Sequence, residues 1–110
     1  MSCLFCAIAA GEIPASFVYE SDDVLAFSDI DPKAPVHILV VPRAHHDNIA
    51  ALTQADPQLA SELMRVAAAL GNVHHGGFRV VLNTGPDGGQ SVNHVHAHVL
   101  GGRGLGWPPG

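Results

Sequence analysis

The sequence has little positive charge, few aromatic side chains and no long run of apolar residues. Five Lys and Arg stand against ten Asp and Glu, which gives a formal net charge of −5. A basic surface for nucleic acid or for an anionic membrane is therefore not expected. No apolar stretch approaches the roughly 20 residues of a membrane-spanning helix. Because the N-terminal stretch also lacks the basic start of a secretory signal, we expect a cytoplasmic protein.

Charged residues are scarce as well, at 14%, whereas apolar residues make up 47% of the 110 residues. This balance predicts a folded chain rather than a disordered one. The length fits one domain over residues 1–110, without internal repeats or a low-complexity linker. A core of this size is only marginally stable alone, so association with a second subunit would help.

The pattern of apolar residues predicts an α+β fold, with an antiparallel sheet of about five strands and one main helix packed on it. The helix begins after Asp56, which can cap it, and Pro57 suits its first position. Gly71 is expected just beyond its last residue. The five predicted strands are β-branched or alternating runs bounded by turn residues: FVYES, VLAFSD, VHILVVP, FRVVLN and VNHVHAHVL.

The last of these runs carries His94, His96 and His98 at every second position. On a strand these three imidazoles point to one face, while the apolar residues between them point to the other. The histidines could be solvated, could share one metal ion, or could sense pH. The alternative is nucleophilic catalysis at phosphorus, because an imidazole with an ordinary pKa of about 6.5 is mostly neutral and nucleophilic at pH 7.

A glycine-rich loop, NTGPDGGQS, leads directly into the histidine run. Asp87-Gly88 alone is typical of a hairpin turn. However, glycines also let a backbone approach a phosphate closely, and free N–H groups can then bind the anion. Ser91 adds a hydroxyl beside the histidines, so we expect a phosphate-binding loop here.

These motifs together resemble the histidine triad (HIT) family. HVHAHVL fits its pattern of three histidines alternating with apolar residues. The stretches GEIPA, LAFSDIDPKAPVHILVVPRAH, GGQSVNHVHAHVLGGR and WPPG resemble the Hint branch, whose members are purine nucleoside phosphoramidases. The resemblance extends over most of the chain and implies the same α+β fold in a homodimer.

The resemblance also implies roles for individual residues. His96 would be the nucleophile that takes up a nucleoside monophosphate, and His98 would contact the phosphate oxygens or the leaving group. His37 would orient the triad, and Ser91 would protonate the departing nitrogen. The nucleotide would be bound by residues that include the ribose-binding Asp29 and the base-contacting Ile30: Asp29, Ile30, Asn83, Gly89, Gln90, Ser91, His96, Ala97 and His98.

Cys3 and Cys6 form a C-x-x-C pair near the start of the chain. A thioredoxin-like redox site would need a preceding strand, for which there is no room. Two inert buried thiols, or two ligands of a structural zinc ion, remain. In many bacterial HIT proteins such cysteines bind zinc together with two histidines, and the resemblance implies His45 and His94 here. His46 is an alternative to His45.

The last ten residues, GGRGLGWPPG, read by themselves as a disordered end, although Trp107 is a large apolar group. In the Hint branch this tail, here residues 101–110, reaches the partner subunit's site, and Trp107 would help to form the leaving-group pocket. The implied reaction is cleavage of the P–N bond in adenosine 5′-phosphoramidates. Alternatives are hydrolysis of dinucleoside polyphosphates and a non-catalytic nucleotide- or zinc-binding regulatory module.

Overall fold

The computed structural model describes residues 3–110. Within this range the chain forms three helices and five strands. In chain order they are α1 (Leu4–Ala9), β1 (Phe17–Glu20), β2 (Val24–Ser28), β3 (Val36–Pro42), α2 (Ile49–Ala55), α3 (Pro57–Asn72), β4 (Phe78–Val81) and β5 (Ala97–Gly101).

The strands form one antiparallel sheet in the order β1-β2-β3-β5-β4, which confirms the predicted α+β architecture. Strand β3 is central: its Val40 pairs with Ala26 of β2 on one side and with Ala97 of β5 on the other. Because β3 and β5 are neighbours, His37 on β3 lies beside the end of the histidine run.

One face of the sheet is covered by α3. Leu63, Val66 and Ala67 of this helix are buried against Val40 and other apolar residues of the sheet. The alternate residues of the histidine run, Val95, Ala97 and Val99, belong to the same core, as the alternation predicts. Their burial leaves the intervening histidines to the opposite side of the backbone.

The opposite face is only partly covered, by the short helix α1. Phe5 and Ile8 of α1 pack against a second apolar cluster on this face, made of Leu25, Phe27, Leu39 and Val41. The sequence pattern did not predict α1. Six residues are too few for a helix to form on local preference alone, and packing against the sheet supplies the stabilisation.

Helix α3 begins as predicted, with the Asp56 carboxylate accepting the Leu59 N–H at 3.1 Å and with Pro57 in the first turn. The prediction for its end was wrong, because Gly71 lies inside the helix and Val73 caps it. A Cβ at Gly71 would lie 2.3 Å from the Phe78 ring. The glycine therefore allows α3 to pack on β4.

Helix α2 was not predicted. It begins after Asn48, whose side-chain oxygen accepts the Ala51 N–H at 2.9 Å, and it ends at the residue before Asp56. Asp56 thus closes α2 and caps α3. None of the helices in residues 3–110 has the length and apolar character needed to cross a bilayer.

Strand β5 is shorter than predicted, since it begins at Ala97 and leaves His94 and His96 before it. The preceding residues have no sheet partner; instead the Val95 N–H donates to the His46 carbonyl at 2.7 Å. The side-chain alternation continues through this segment, but its backbone is held by the loop after β3.

Candidate active site and metal cluster

A cavity of about 260 Å³ opens on the partly covered face of the sheet, between α1, the end of β2 and the histidine run. Its wall is mostly apolar, with a few polar groups at one end, which is the usual composition of a small-ligand site. The lining residues are Leu4, Phe5, Ile8, Ile13, Pro14, Ala15, Phe27, Ser28, Asp29, Ile30, Leu39, Ser91, Val92, His96 and His98.

His96 has one ring nitrogen fixed by the backbone. Its Nδ1–H donates to the His94 carbonyl oxygen at 2.8 Å, since a carbonyl can only accept. In the neutral ring this leaves the lone pair on Nε2. The ring is 6% exposed, and its centroid lies 5.0 Å from that of Phe5. His96 is therefore a buried imidazole, lining the cavity, with one nitrogen free to act as a nucleophile.

In His98 the proton is on the other nitrogen, Nε2, and a chain of hydrogen bonds holds it there. The Lys33 backbone N–H donates to His37 Nδ1 at 3.0 Å, so the proton of neutral His37 is on Nε2. His37 Nε2–H donates in turn to His98 Nδ1 at 2.9 Å. The proton of neutral His98 is consequently on Nε2, where it can be donated to a ligand in the cavity.

Both of these histidines are neutral at pH 7. Burial, reinforced by the neighbouring His96 and His37, lowers the pKa of His98 to about 4. Burial also lowers the pKa of His37, although the Asp29 carboxylate opposes the effect. Neutral rings are what the hydrogen-bond chain requires, because each must accept on Nδ1.

Asp29 and Ile30 stand at the mouth of the cavity, where β2 has ended. One carboxylate oxygen of Asp29, Oδ1, accepts the Asp31 N–H at 2.9 Å, and Oδ2 lies 3.4 Å from His37 Nε2. The remaining lone pairs can accept hydroxyl groups of a ligand. Ile30 is fully exposed.

Two N–H groups of the glycine loop are used within the loop itself. The N–H groups of Gly89 and Gln90 donate to the carbonyls of Pro86 and Gly85, at 3.1 and 3.0 Å, and are not free for an anion. The Gln90 carboxamide is also occupied by backbone groups, accepting from Gly85 and donating to Asp47 and Val92. The loop braces itself and the segment that follows it.

The residues named from the resemblance as nucleotide-binding therefore fall into two groups. Those lining the cavity are Asp29, Ile30, Ser91, His96 and His98. Those outside its lining are Asn83, Gly89, Gln90 and Ala97, of which Ala97 is fully buried in the core.

A second cluster adjoins the cavity. One ligand atom from each of Cys3, Cys6, His45 and His94 lies within 4.8 Å of the others, whereas His46 is not part of this group. His94 donates Nε2–H to the Pro42 carbonyl at 2.8 Å, and His45 donates Nε2–H to Asp47 at 3.1 Å. Both rings consequently turn an unprotonated Nδ1 toward the sulfur atoms.

The spacing of these atoms fits a tetrahedral metal ion. The Nδ1 atom of His94 lies 3.4 Å from Cys3 Sγ and 3.5 Å from Cys6 Sγ, and His45 Nδ1 lies 3.4 Å from Cys6 Sγ. With Zn–S and Zn–N bonds of about 2.3 and 2.0 Å, a tetrahedron has an S···N edge of about 3.5 Å. Two thiols and two imidazole lone pairs at this spacing form a complete donor set.

Asp29, His37 and His98 form another compact group of metal-ligand types. The Lys33 N–H argues against a metal there, because it requires a lone pair on His37 Nδ1 and hence a proton on Nε2. This group is better described as a hydrogen-bond chain.

Trp107 does not reach the cavity of its own chain. The indole is 83% exposed, and the tail before it is held by Arg79, which donates to the Gly106 carbonyl at 2.8 Å.

Some residues of the site were not identified from the sequence. Phe5 and Ile8 line the cavity because α1 packs on this face of the sheet. The only sequence signal for them was the apolar character of the residues around Cys6. The contribution of Lys33 is made by its backbone, so its side-chain type carries no signal.

Comparison with known proteins identifies similarity to HIT proteins in sequence and in structure. The family model described as "HIT domain" matches residues 10–105. An uncharacterised HIT-like protein of Synechococcus elongatus is 47% identical, over 97% of this chain and 96% of its own. A 14 kDa zinc-binding protein of Zea mays is 44% identical, over 97% and 87%. The crystal structure of a HIT family hydrolase from Legionella pneumophila superposes with a TM-score of 0.94 at 44% identity, covering 99% of this chain and 100% of that one.

Proposed function

The chain belongs to the HIT domain family, and from that premise we propose that it is a nucleotide hydrolase of the Hint branch. Its reaction is cleavage of the P–N bond in adenosine 5′-phosphoramidates, which are conjugates of AMP with an amine. The observation that carries this proposal is the free Nε2 of His96, held in a cavity beside the Nε2–H of His98.

The first step forms a bond between His96 Nε2 and phosphorus and breaks the P–N bond. The departing amine must take up a proton, since an amide anion is a very poor leaving group. Ser91, on the cavity wall, is the group assigned to this transfer. The Nδ1–H of His96 donates to the His94 carbonyl and stabilises the positive charge that the ring acquires.

In the second step, water attacks phosphorus and breaks its bond to His96 Nε2. The proton that the water loses returns to Ser91, AMP is released, and the neutral His96 ring is restored. The His98 Nε2–H donates to a phosphate oxygen in both steps. Because burial lowers the pKa of His98 to about 4, it acts as a neutral donor at pH 7. It is thus suited to binding the phosphoryl group without adding a charge to the cavity.

The nucleoside occupies the apolar part of the cavity. Asp29 accepts the ribose hydroxyls, and the base lies between Ile30 and the apolar wall that includes Phe5 and Phe27. Gln90 lies outside the cavity lining and acts by bracing the loop before Ser91. A nucleotide-binding role for Asn83 and Gly89 rests on the family resemblance alone.

The Cys3, Cys6, His45 and His94 cluster is assigned to a structural zinc ion. Support comes from its donor set and spacing, and from the 44% identical zinc-binding protein of Zea mays. Zinc bound there adds stability by joining α1 to the histidine run. Catalysis requires no metal in this proposal. A C-x-x-C pair assigned to zinc rather than to a disulfide suits the proposed cytoplasmic location.

A homodimer completes the proposal. Residues 1–110 form a single domain, and the tail, residues 101–110, contributes to the partner subunit's site, where Trp107 forms part of the leaving-group pocket. Two features support association: Trp107 is exposed, and β4 lies at the edge of the sheet with one side unpaired among the described strands.

The test is a steady-state assay of AMP release from adenosine 5′-phosphoramidate, with a dinucleoside polyphosphate as the competing substrate. The proposal predicts a higher kcat/KM for the phosphoramidate. Preference for the polyphosphate would indicate the other hydrolase activity. AMP binding without turnover of either compound would indicate a regulatory nucleotide-binding module.

A further inference from the structure

Arg103 makes a contact that none of the roles above explains. Its guanidinium donates twice to the Lys33 carbonyl oxygen, from Nε at 3.2 Å and from Nη2 at 2.9 Å. Its third donor, Nη1, binds the Gly104 carbonyl at 2.8 Å. A charged, planar group therefore holds one peptide oxygen of the β2–β3 loop from the start of the C-terminal tail.

The backbone of the tail is placed for this contact. Gly102 has a φ of +85°, and a Cβ at this position would lie 2.8 Å from the Pro35 side chain. Only glycine combines that conformation with so close an approach. The turn after β5 thus brings Arg103 against the loop between β2 and β3.

Lys33 joins this contact to the cavity. Its carbonyl is held by Arg103, and its N–H donates to His37 Nδ1 at 3.0 Å. His37 then donates to His98 Nδ1 at 2.9 Å. Hydrogen bonds on both sides of the Lys33 Cα therefore connect the tail to the ring that faces the ligand.

We propose that Arg103 is a positioning residue for the hydrolysis proposed above: by holding the Lys33 backbone it fixes the tautomers of His37 and His98. The inference rests on that proposed function for its catalytic meaning. The tautomers themselves are a property of the resting protein and can be measured without substrate.

The tautomers matter because the opposite pair, with the proton on Nδ1 of both His37 and His98, leaves no donor for the phosphate. If the Lys33 N–H moves away, His37 can carry its proton on Nδ1 and present a lone pair to His98. His98 must then place its own proton on Nδ1 to keep the hydrogen bond. Its Nε2 would face the phosphate oxygens with a lone pair, and the donor required in both steps would be lost.

The test compares Arg103→Met with the wild type by long-range ¹H–¹⁵N spectra of the histidine rings. In the wild type, His37 and His98 are expected as Nε2–H tautomers and His96 as the Nδ1–H tautomer. In Arg103→Met, His37 and His98 become tautomer mixtures. His96 stays unchanged, because its partner is the His94 carbonyl. We expect kcat to fall about tenfold as the donor is misplaced, with the Kd for AMP changed less than about threefold.

Arg79→Met is the matched control. The Arg79 side chain also binds a tail carbonyl, that of Gly106, but within residues 3–110 it makes no hydrogen bond to Lys33 or His37. Its histidine spectrum should match the wild type. If Arg103→Met does not fold, Arg103→Gln, which can make only part of the contact, replaces it with the same expectation. Wild-type tautomers in a folded Arg103 variant overturn the inference, even if activity falls. Altered tautomers in a protein whose wild type has no hydrolase activity support it and refute the proposed function instead.

Discussion

His94 and His96 are separated by one residue, yet they present opposite nitrogens to their surroundings. His94 gives its Nε2–H to the Pro42 carbonyl and leaves Nδ1 facing two sulfur atoms. His96 gives its Nδ1–H to the His94 carbonyl and leaves Nε2 facing the cavity. The metal cluster and the candidate active site thus both use histidines of one short segment. For each ring, the carbonyl that accepts one N–H decides which nitrogen keeps the lone pair.

The comparison shows that the type of residue alone does not set the chemistry of this segment. Alternation places all three histidines on one side of the backbone. Their partners then divide them, because a carbonyl that accepts from one nitrogen leaves the lone pair on the other. His98 differs again, since it accepts on Nδ1 and offers a proton on Nε2.

The largest effect is expected from His96→Asn, which removes the nucleophile but not the metal cluster. Turnover of adenosine 5′-phosphoramidate should fall by at least about a thousandfold, because no other group supplies the covalent step. AMP binding, measured by calorimetry, should be retained, since base and ribose contact other residues. Metal content should equal that of the wild type. Substantial remaining turnover would rule out His96 as the nucleophile.

The double substitution Cys3→Ser with Cys6→Ser has the opposite design, because it removes the thiol ligands and leaves the nucleophile in place. It should abolish metal binding and lower stability, by about 4 kcal/mol where free zinc exceeds the Kd a thousandfold. Most of the activity should remain, because the His96 and His98 hydrogen bonds do not involve the sulfurs. Metal analysis and denaturant unfolding provide the readouts. Absence of zinc from wild-type protein purified without chelators would refute the metal assignment and leave two free thiols.

The pH dependence of stability tests whether His98 is neutral in the folded protein. Burial lowers the pKa of His98 from 6.5 to about 4, so the unfolded chain binds a proton first as the pH falls. Its contribution is fully present above pH 6.5 and is lost as the pH falls toward 4. The loss is at most about 3 kcal/mol, because solvent reaches part of the ring and screens the effect. The lowered pKa of His37 adds in the same direction.

Denaturant unfolding across this pH range, in the Cys3→Ser and Cys6→Ser background, measures the effect without metal release. His98→Asn in the same background is the control, and its stability should fall less steeply with acid. Equal slopes in the two proteins would contradict the burial and neutrality assigned to His98.

Removing residues 105–110 should have the smallest effect, and it should leave both histidine sites intact. Trp107 is lost, so kcat/KM ratios between a small amine and an aromatic amine should change by about tenfold, while AMP binding changes little. Kinetics with unsubstituted phosphoramidate and an aromatic amine conjugate are the measurement. Unchanged ratios would mean that the tail does not contribute to the leaving-group pocket.

Much of this architecture could be predicted from the sequence because it depends on local patterns. β-Branched runs indicated the strands, Asp56 and Pro57 indicated the start of α3, and alternation indicated that Val95, Ala97 and Val99 lie in the core. The metal cluster could be proposed because C-x-x-C spacing and the family resemblance both point to it.

The rest depends on which partner each group finds in the folded chain, and residue type does not specify that partner. Gly71 looked like a helix end, but it is a packing position for Phe78. The glycine loop looked like an anion site, but Gly89 and Gln90 use their N–H groups within the loop. The tautomers of His37 and His98 depend on the Lys33 backbone, which no residue pattern reveals.

The division between His94 and His96 is tested most directly by the ring nitrogen shifts of these two residues in the wild-type protein at neutral pH. His94 is expected with its proton on Nε2 and His96 with its proton on Nδ1, in the same spectrum. The zinc-loaded protein should show a metal-bound Nδ1 on His94 and no change of tautomer at His96. The same tautomer on both rings, or a zinc-dependent change in the tautomer of His96, would contradict the account.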